Sequence, residues 1–250
     1  MTTEEFSNQF DTLLNSYARS IPNGMEYFSY DVVLDEYEKS VYLTEAQRVV
    51  VTNYYSGKNA YRLTFEEKEE MREALDALVK TATPDPLAKD AVPSHLENLF
   101  DGKRTFTFYP IPDNLLYIVF EEVKFSSYLS GCLKGASALV VPATHDDVWH
   151  RLQNPFRGPT NKRVLRINAS DNIVELISDY PIGSYLLRYV EEPKPIILTD
   201  LPNGLSIEGV SERTECELPD IMHHIILDTA VQAALATKAA TLGAKTQSKS

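Results

Sequence analysis

The segment Thr144–His150, THDDVWH, contains the first group of side chains whose types could do chemistry. Four of them are possible metal ligands: His145, Asp146, Asp147 and His150. Two adjacent aspartates point apart on a helix, and the helix dipole favours acidic residues in a first turn. Thr144 is also a good helix N-cap. We therefore interpret the segment as a capped helix anchored by Trp149 and predict no metal there.

The adjacent histidines His223 and His224 are the second candidate pair. On a helix their directions differ by about 100°, so they cannot easily complete one ligand or catalytic geometry. We expect one at the edge of the core and the other nearer solvent.

A run of basic residues without an intervening acid follows the THDDVWH segment. It consists of Arg151, Arg157, Lys162, Arg163 and Arg166. One interpretation is a solvated loop whose charges pair with acids elsewhere in this protein or in a neighbouring copy. The other is an interface patch that faces an acidic protein surface or passing DNA.

Familiar catalytic and cofactor motifs are missing from the chain. The sequence contains no GxSxG, no HExxH and no glycine-rich phosphate loop, and it has ten glycines in 250 residues. Cys132 and Cys216 match no zinc or redox spacing, so we expect two reduced, mostly buried thiols, although a disulfide is possible in principle. We therefore predict no catalytic residue, no cofactor and no metal; that the protein is not an enzyme is what the resemblance described below implies.

Composition indicates a globular, acidic protein. Apolar residues make up 43% of the chain and charged residues 24%, and 250 residues can form one large domain or two small ones. The net charge of −12 makes general nucleic-acid binding improbable, because phosphate affinity comes from an excess of cations. No apolar run approaches the roughly 18 residues of a membrane span. The first ten residues lack the apolar region of a signal peptide, so we expect synthesis in the cytoplasm of the producing cell.

The first third of the chain has a helical pattern. Apolar residues recur at helical spacing over Thr3–Arg19. Thr44 with Gln47, and Thr64 with Glu67, have the spacing of capping boxes and predict two further helices, the second ending near Lys80. The proline-rich segment TATPDPLAKDAVPS then predicts a connecting loop, so we expect a helical region over residues 1–82.

From Arg104 onward the pattern changes to alternation of apolar and polar residues. RTFTFYP and LLYIVFEEVKF predict a strand and its returning partner, and KRVLRIN with IVELIS predicts a hairpin with either Val164 or the pair Leu165 and Ile167 facing inward. Pro219 suits the start of a long terminal helix that we expect to brace the strands and to end at Gly243. The prediction is an α+β fold: an N-terminal helical region, a mostly antiparallel β body closed by a long C-terminal helix over residues 83–242, and a disordered tail over 243–250.

Four stretches, taken in order, resemble a virion structural family of tailed phages that infect Bacteroidetes, including the crAss-like phages. They are LDEYEKSVYLTEAQRVVVTNYYSG (Leu34–Gly57), LTFEEKEEMREALDALVK (Leu63–Lys80), GSYLLRYVEEPKPIIL (Gly183–Leu198) and SIEGVSERTECELPDIMHHIILDTAVQAALA (Ser206–Ala236). The resemblance implies a neck or head-to-tail connector protein that forms a ring beneath the portal, with no catalytic residues.

The same resemblance implies the partners and the location of the protein. They are other copies of the chain in a homo-oligomeric ring of about twelvefold symmetry, the portal protein and other neck and tail ring proteins. Contact with genomic DNA in the channel is expected to be incidental at most, no membrane partner is expected, and the protein is expected in the virion neck or tail. Two alternatives stay open from the sequence: an enzyme with an unrecognised active site, and a capsid or tail accessory protein of different symmetry.

Overall fold

The computed structural model describes residues 1–20, 33–59, 62–88, 94, 96, 104–126, 134–170, 172–202 and 204–247. It divides the chain into two compact units. Unit 1 comprises Met1–Leu78 and Glu192–Ser250, and unit 2 comprises Val79–Glu191. Unit 2 is thus one continuous segment, inserted in sequence between the two segments of unit 1.

Unit 1 is helical. Its elements are α1 (Thr3–Ser20), α2 (Glu36–Ser56), α3 (Glu69–Leu75), a 3₁₀ turn (Asp76–Leu78) and α5 (Asp220–Gln247). Helix α1 begins where its sequence pattern predicted, and its residues Phe6, Phe10 and Leu14 are fully buried. Helix α5 packs along α2 and α1 and buries a stripe at helical spacing: Met222, Ile226, Ala230 and Ala234. Two further apolar residues of α5, Ile221 and Ile225, are exposed.

Helix α2 begins eight residues before the predicted cap. Asp35 is the N-cap: its Oδ1 accepts a hydrogen bond from the backbone N of Glu38 at 2.7 Å, and the Glu38 side chain accepts one from Asp35 N at 3.3 Å. The helix ends at Gly57, which adopts the left-handed conformation (φ 78°) that terminates many helices. The predicted capping box of Thr44 and Gln47 was wrong, because both residues lie buried inside a helix that had already started.

The second predicted capping box is half formed. The Glu67 side chain accepts a hydrogen bond from Thr64 N at 2.6 Å, but this contact closes a turn, and α3 begins only at Glu69. The helix also ends earlier than predicted, since residues 79–82 form a strand and not its last turn.

In the residues that the structure describes, unit 2 holds the strands and one helix. In chain order they are β1 (Val79–Ala82), β2 (Thr105–Pro110), β3 (Leu115–Phe125), β4 (Ser137–Pro142), α4 (His145–Gln153), β5 (Arg163–Ser170), β6 (Ile173–Ser178) and β7 (Ile182–Glu191). Among the described residues they form one seven-stranded sheet in the order β1-β7-β3-β4-β5-β6-β2. Only the β4–β5 pair is parallel within this described sheet, and α4 makes the crossover that such a pair requires.

The predicted β5–β6 hairpin is confirmed, but the predicted β2–β3 hairpin was wrong. Strand β2 pairs with β6 at one edge of the sheet, whereas β3 pairs with β7 and β4. Apolar periodicity specifies which face of a strand is buried, but it does not specify which strand pairs with it. Adjacency in sequence therefore did not predict the pairing of β2.

Both faces of the sheet are buried at β5, which resolves the alternative for this strand. Val164 packs into one hydrophobic cluster with Val123 and Leu176, while Leu165 and Ile167 pack into the opposite one. Helix α4 covers that second face through two buried residues, Val148 and Leu152.

The α+β class predicted from the sequence is confirmed: N-terminal helices, a mostly antiparallel sheet and a long C-terminal helix. The division of the chain differs from the expected boundary at residues 82 and 83, because α5 packs on α1 and α2 in unit 1. Helix α5 also continues through Gly243 to Gln247, where we expected a tail, and residues 248–250 lie outside the described part. No helix in the described ranges is long and apolar enough to cross a membrane.

Candidate interaction surface

The loop of residues 154–162 connects α4 to β5 and contains part of the predicted basic patch. Asn154 organises its first turn: its backbone carbonyl accepts hydrogen bonds from Arg157 N at 3.1 Å and Gly158 N at 2.8 Å, and its Oδ1 accepts one from Phe156 N at 2.9 Å. Side-chain and backbone acceptors thus satisfy the loop's amides locally, as in an Asx turn.

Arg163, at the start of β5, stabilises the same loop through hydrogen bonds to its backbone. Its Nη2 donates to the carbonyl oxygens of Phe156 and Gly158 at 2.7 Å each, and its Nε donates to Gly158 O at 3.0 Å. Gly158 is buried, and a Cβ there would lie 3.2 Å from two backbone carbonyl oxygens, so any larger residue would crowd the turn. The loop is therefore held in one shape.

This loop exposes an aromatic ring and two positive charges to solvent. Phe156 is 86% exposed, and Arg157 and Lys162 are exposed as well. The side chains of Arg157 and Lys162 make no ion pair with any residue that the structure describes. We call Phe156, Arg157 and Lys162 the loop surface.

The remaining two members of the basic run have partners within the protein. Arg151 donates through Nε to Asp147 one helical turn earlier, and through Nη1 to Pro142 O at 3.2 Å. Arg166, in strand β5, is largely buried, with its Nη1 2.9 Å from Oε2 of the buried Glu121. The structure thus divides the five predicted residues into two that face solvent and three, including Arg163, that support the fold.

Glu121 forms a buried polar network with Arg166 and Tyr185. The Tyr185 hydroxyl donates to Glu121 Oε1 at 2.5 Å. Burial raises the pKa of Glu121, and the positive charge of Arg166 and the hydroxyl of Tyr185 offset only part of that rise. Burial likewise raises the pKa of Tyr185, with the neighbouring carboxylate adding to it. A buried ion pair of this kind is a structural feature of the sheet.

The other sequence candidates do not form a reactive centre. Thr144 caps α4 as predicted, accepting a hydrogen bond from Asp147 N at 3.3 Å, and His145 Nε2 lies 2.7 Å from the carbonyl oxygen of Asn168. Within the described ranges no three His, Cys, Asp or Glu side chains are grouped so that they could hold a metal ion.

The two adjacent histidines separate as predicted. His223 is buried, with Nε2 2.8 Å from Leu218 O and its ring against Phe6, while His224 is exposed. Burial lowers the pKa of His223. Burial also raises the pKa of the Cys216 thiol to about 11, which makes it a poor nucleophile, and Cys132 lies outside the described residues.

Charge is distributed very unevenly between the two units. Unit 1 contains 23 acidic and 12 basic residues, a net charge of −11, whereas unit 2 contains 13 and 12, a net charge of −1. The loop surface therefore belongs to a nearly neutral unit of a protein whose other unit is strongly acidic.

Sequence reasoning missed Phe156, although a signal was present. The segment NPFRGP places a large aromatic side chain between two prolines in a loop, where no strand or helix period can turn it inward. Large exposed aromatic residues beside arginine are enriched at the centres of protein interfaces.

Comparison with known proteins identifies the family. The model of the phage tail ring protein 3/4 family of crAss-like phages matches residues 1–246. The chain belongs to this family. "Ring protein 3" of Bacteroides phage crAss001 is 42% identical over 98% of this chain and all of its own length, and "Ring protein 4/5" of the same phage is 31% identical over 94% of this chain and 93% of its own length. The relation predicted from the four ordered stretches is confirmed.

Two of the stretches that carried the resemblance pack against each other in this ring protein. Thr44 Oγ1, inside α2, accepts a hydrogen bond from Ile196 N at 3.1 Å, and Ser40 Oγ accepts one from Leu198 N at 3.0 Å. These hydroxyls accept hydrogen bonds from two backbone amides of the extended segment that follows β7. No strand among the described residues pairs with the segment at those two positions. EYEKSVYLT and EEPKPIIL are therefore the two halves of one structural contact.

Proposed function

We propose that the protein is a ring-forming component of the phage neck, a head-to-tail connector that lies beneath the portal. The observation that carries the proposal is the family match over residues 1–246, together with near full-length similarity to a protein named Ring protein 3. The proposed partners are further copies of the chain in a ring of about twelvefold symmetry, the portal protein, and other neck and tail ring proteins. The location that follows is the virion, after synthesis in the host cytoplasm.

The charge distribution supports ring assembly. A closed ring requires heterologous contacts, in which one surface of a subunit meets a different surface of its neighbour. A unit of net charge −11 and a unit of −1 with exposed cations supply two unlike, complementary surfaces on one chain. The same acidic excess disfavours tight binding of phosphates, so contact with the genome in the channel is proposed to be incidental.

The proposed role is structural and needs no active site. The described residues contain no metal-binding group, and the thiol of Cys216 is held in its protonated form at neutral pH. The polar clusters are engaged in support of the fold: Glu121 with Arg166 and Tyr185 in unit 2, and Lys39 with Asp11 in unit 1 at 2.7 Å.

An assembly experiment tests the proposal. The purified protein is mixed with the purified portal and neck proteins of the same phage, and the products are examined by native mass measurement and negative-stain electron microscopy. We expect closed rings of this chain bound to the portal complex. A protein that remains monomeric in every mixture, or that joins the capsid with a different symmetry, would contradict the proposal.

A further inference from the structure

We infer that the loop surface (Phe156, Arg157 and Lys162) docks on unit 1 of a second copy of this chain and forms the subunit contact of the ring. The inference rests on the proposed function, because it names the partner through which the ring closes. It assigns a donor surface on unit 2 and an acceptor surface on unit 1.

The shape of the loop is fixed before any partner binds. Arg163 donates to two of its carbonyl oxygens, Asn154 accepts from three of its amides, and Gly158 is tightly enclosed beneath it. Association with such a loop orders little additional backbone, so less conformational entropy is lost on binding. Arg163, Asn154 and Gly158 thus stabilise the turn. Its exposed cations, Arg157 and Lys162, form no ion pair with the described residues of their own subunit.

The exposed aromatic ring of Phe156 suits a protein partner better than a nucleic acid. At 86% exposure it leaves a large apolar surface in water, and burial in a partner would recover that cost. A double-stranded DNA backbone offers no apolar pocket for the ring, and the acidic chain as a whole repels phosphate.

Charge selects the partner among protein surfaces. Arg157 and Lys162 are exposed cations, and unit 1 of a second copy, whose residues sum to a net charge of −11, is an acidic partner that every ring neighbour contains. A contact from unit 2 of one copy to unit 1 of the next is head-to-tail, which is the type of contact that closes a ring. A symmetric contact between the same loop of two copies would bring like charges together and would stop at a dimer.

The assembly reaction with portal and neck proteins also tests the inference, with a double variant and a matched control. Phe156→Ala with Arg157→Glu removes the aromatic ring and reverses one loop charge. The control, Phe120→Ala with Arg188→Glu, makes the same two chemical changes at a partly exposed and an exposed position that pair across strands β3 and β7. Thermal unfolding of both variants confirms that they fold.

We expect the loop variant to need at least ~tenfold more protein for ring formation, because truncating a central interface aromatic typically weakens association by that factor or more. The control is expected to assemble like the wild type. If the wild type forms no ring, the proposed function fails and the inference with it. If the wild type and the loop variant form rings equally well, or if both variants lose them, only the inference fails.

A photochemical experiment identifies the acceptor. A benzophenone amino acid replaces Phe156, and isotope-labelled and unlabelled chains are mixed in the assembly reaction so that adducts between copies can be recognised by mass. We expect adducts within residues 1–78 or 192–250 of a different copy. Adducts confined to residues 79–191, to another neck protein or to DNA would overturn the inference.

Discussion

Loss of the Arg166 guanidinium is predicted to destabilise unit 2 strongly and in a pH-dependent way. Arg166 is 12% exposed and Glu121 is 5% exposed, with 2.9 Å between Nη1 and Oε2. Arg166→Met keeps the aliphatic stem of the side chain but leaves the Glu121 carboxylate buried without a cation, with the Tyr185 hydroxyl as its remaining described hydrogen-bond partner. Removing one member of a buried ion pair typically costs about 3–5 kcal/mol, and we expect a loss of that size at pH 7.5.

The pH dependence follows from the direction of the Glu121 pKa. Burial already raises this pKa above its ordinary value in the folded protein, and without Arg166 it rises further. The folded state then binds more protons than the unfolded state over the interval between the two pKa values. Stability of the variant is therefore lowest above the folded pKa and increases as pH falls through it, down to the unfolded pKa of about 4.3. The deficit relative to wild type should shrink on acidification.

Urea unfolding followed by fluorescence measures the effect, because Trp149 is the single tryptophan and lies on α4 in unit 2. Arg151→Met is the matched control: Arg151 belongs to the same basic run but pairs near the surface, so about 1 kcal/mol or less is expected. Adding Glu121→Gln to Arg166→Met removes the unpaired charge and should restore most of the stability. A loss below about 1 kcal/mol for Arg166→Met, or one independent of pH, would refute the reasoning.

Three further predictions concern other buried groups. Thr44→Val keeps the shape of the side chain but removes the acceptor of the Ile196 amide, so chemical denaturation should show a loss of about 1–3 kcal/mol; a loss below about 0.5 kcal/mol would contradict it. Gly158→Ala places a methyl group 3.2 Å from two carbonyl oxygens and should lower the thermal midpoint of unit 2, at a cost of about 1–3 kcal/mol. An unchanged midpoint would show that the backbone of the turn shifts to accommodate the methyl group. In a Cys132→Ser background, the Cys216 pKa of about 11 predicts alkylation at pH 8 about a hundredfold slower in the native than in the unfolded protein, and equal rates would rule out the buried thiol.

The structure separates the five residues of the basic run into two groups. Arg151, Arg163 and Arg166 are bound within their own subunit, whereas Arg157 and Lys162 are available to a partner. Reversing the charge of Arg163 or Arg166 would therefore damage the fold. The resulting loss of assembly would look the same as the loss of an interface. Of the basic run, only Arg157 and Lys162 can be altered to test assembly without disturbing the fold.

The sequence by itself determined the class of the fold, most of its strands and the start of α1, because each is set by local apolar periodicity. It also determined the family, since four ordered stretches distributed along the chain identified it. It correctly placed the Thr144 cap and the split between His223 and His224, which depend on neighbours within one helix.

The tertiary structure alone decided how those elements are grouped. Thr44 looked like a cap because its local spacing with Gln47 fits one, but it bonds a backbone amide more than 150 residues away. β2 was predicted to pair with β3 because they are consecutive, yet it lies beside β6. Helix α5 was expected on the sheet and packs on α1 and α2. Each of these outcomes depends on a contact between distant parts of the chain, and a local pattern specifies only that a surface must be buried, not which surface buries it.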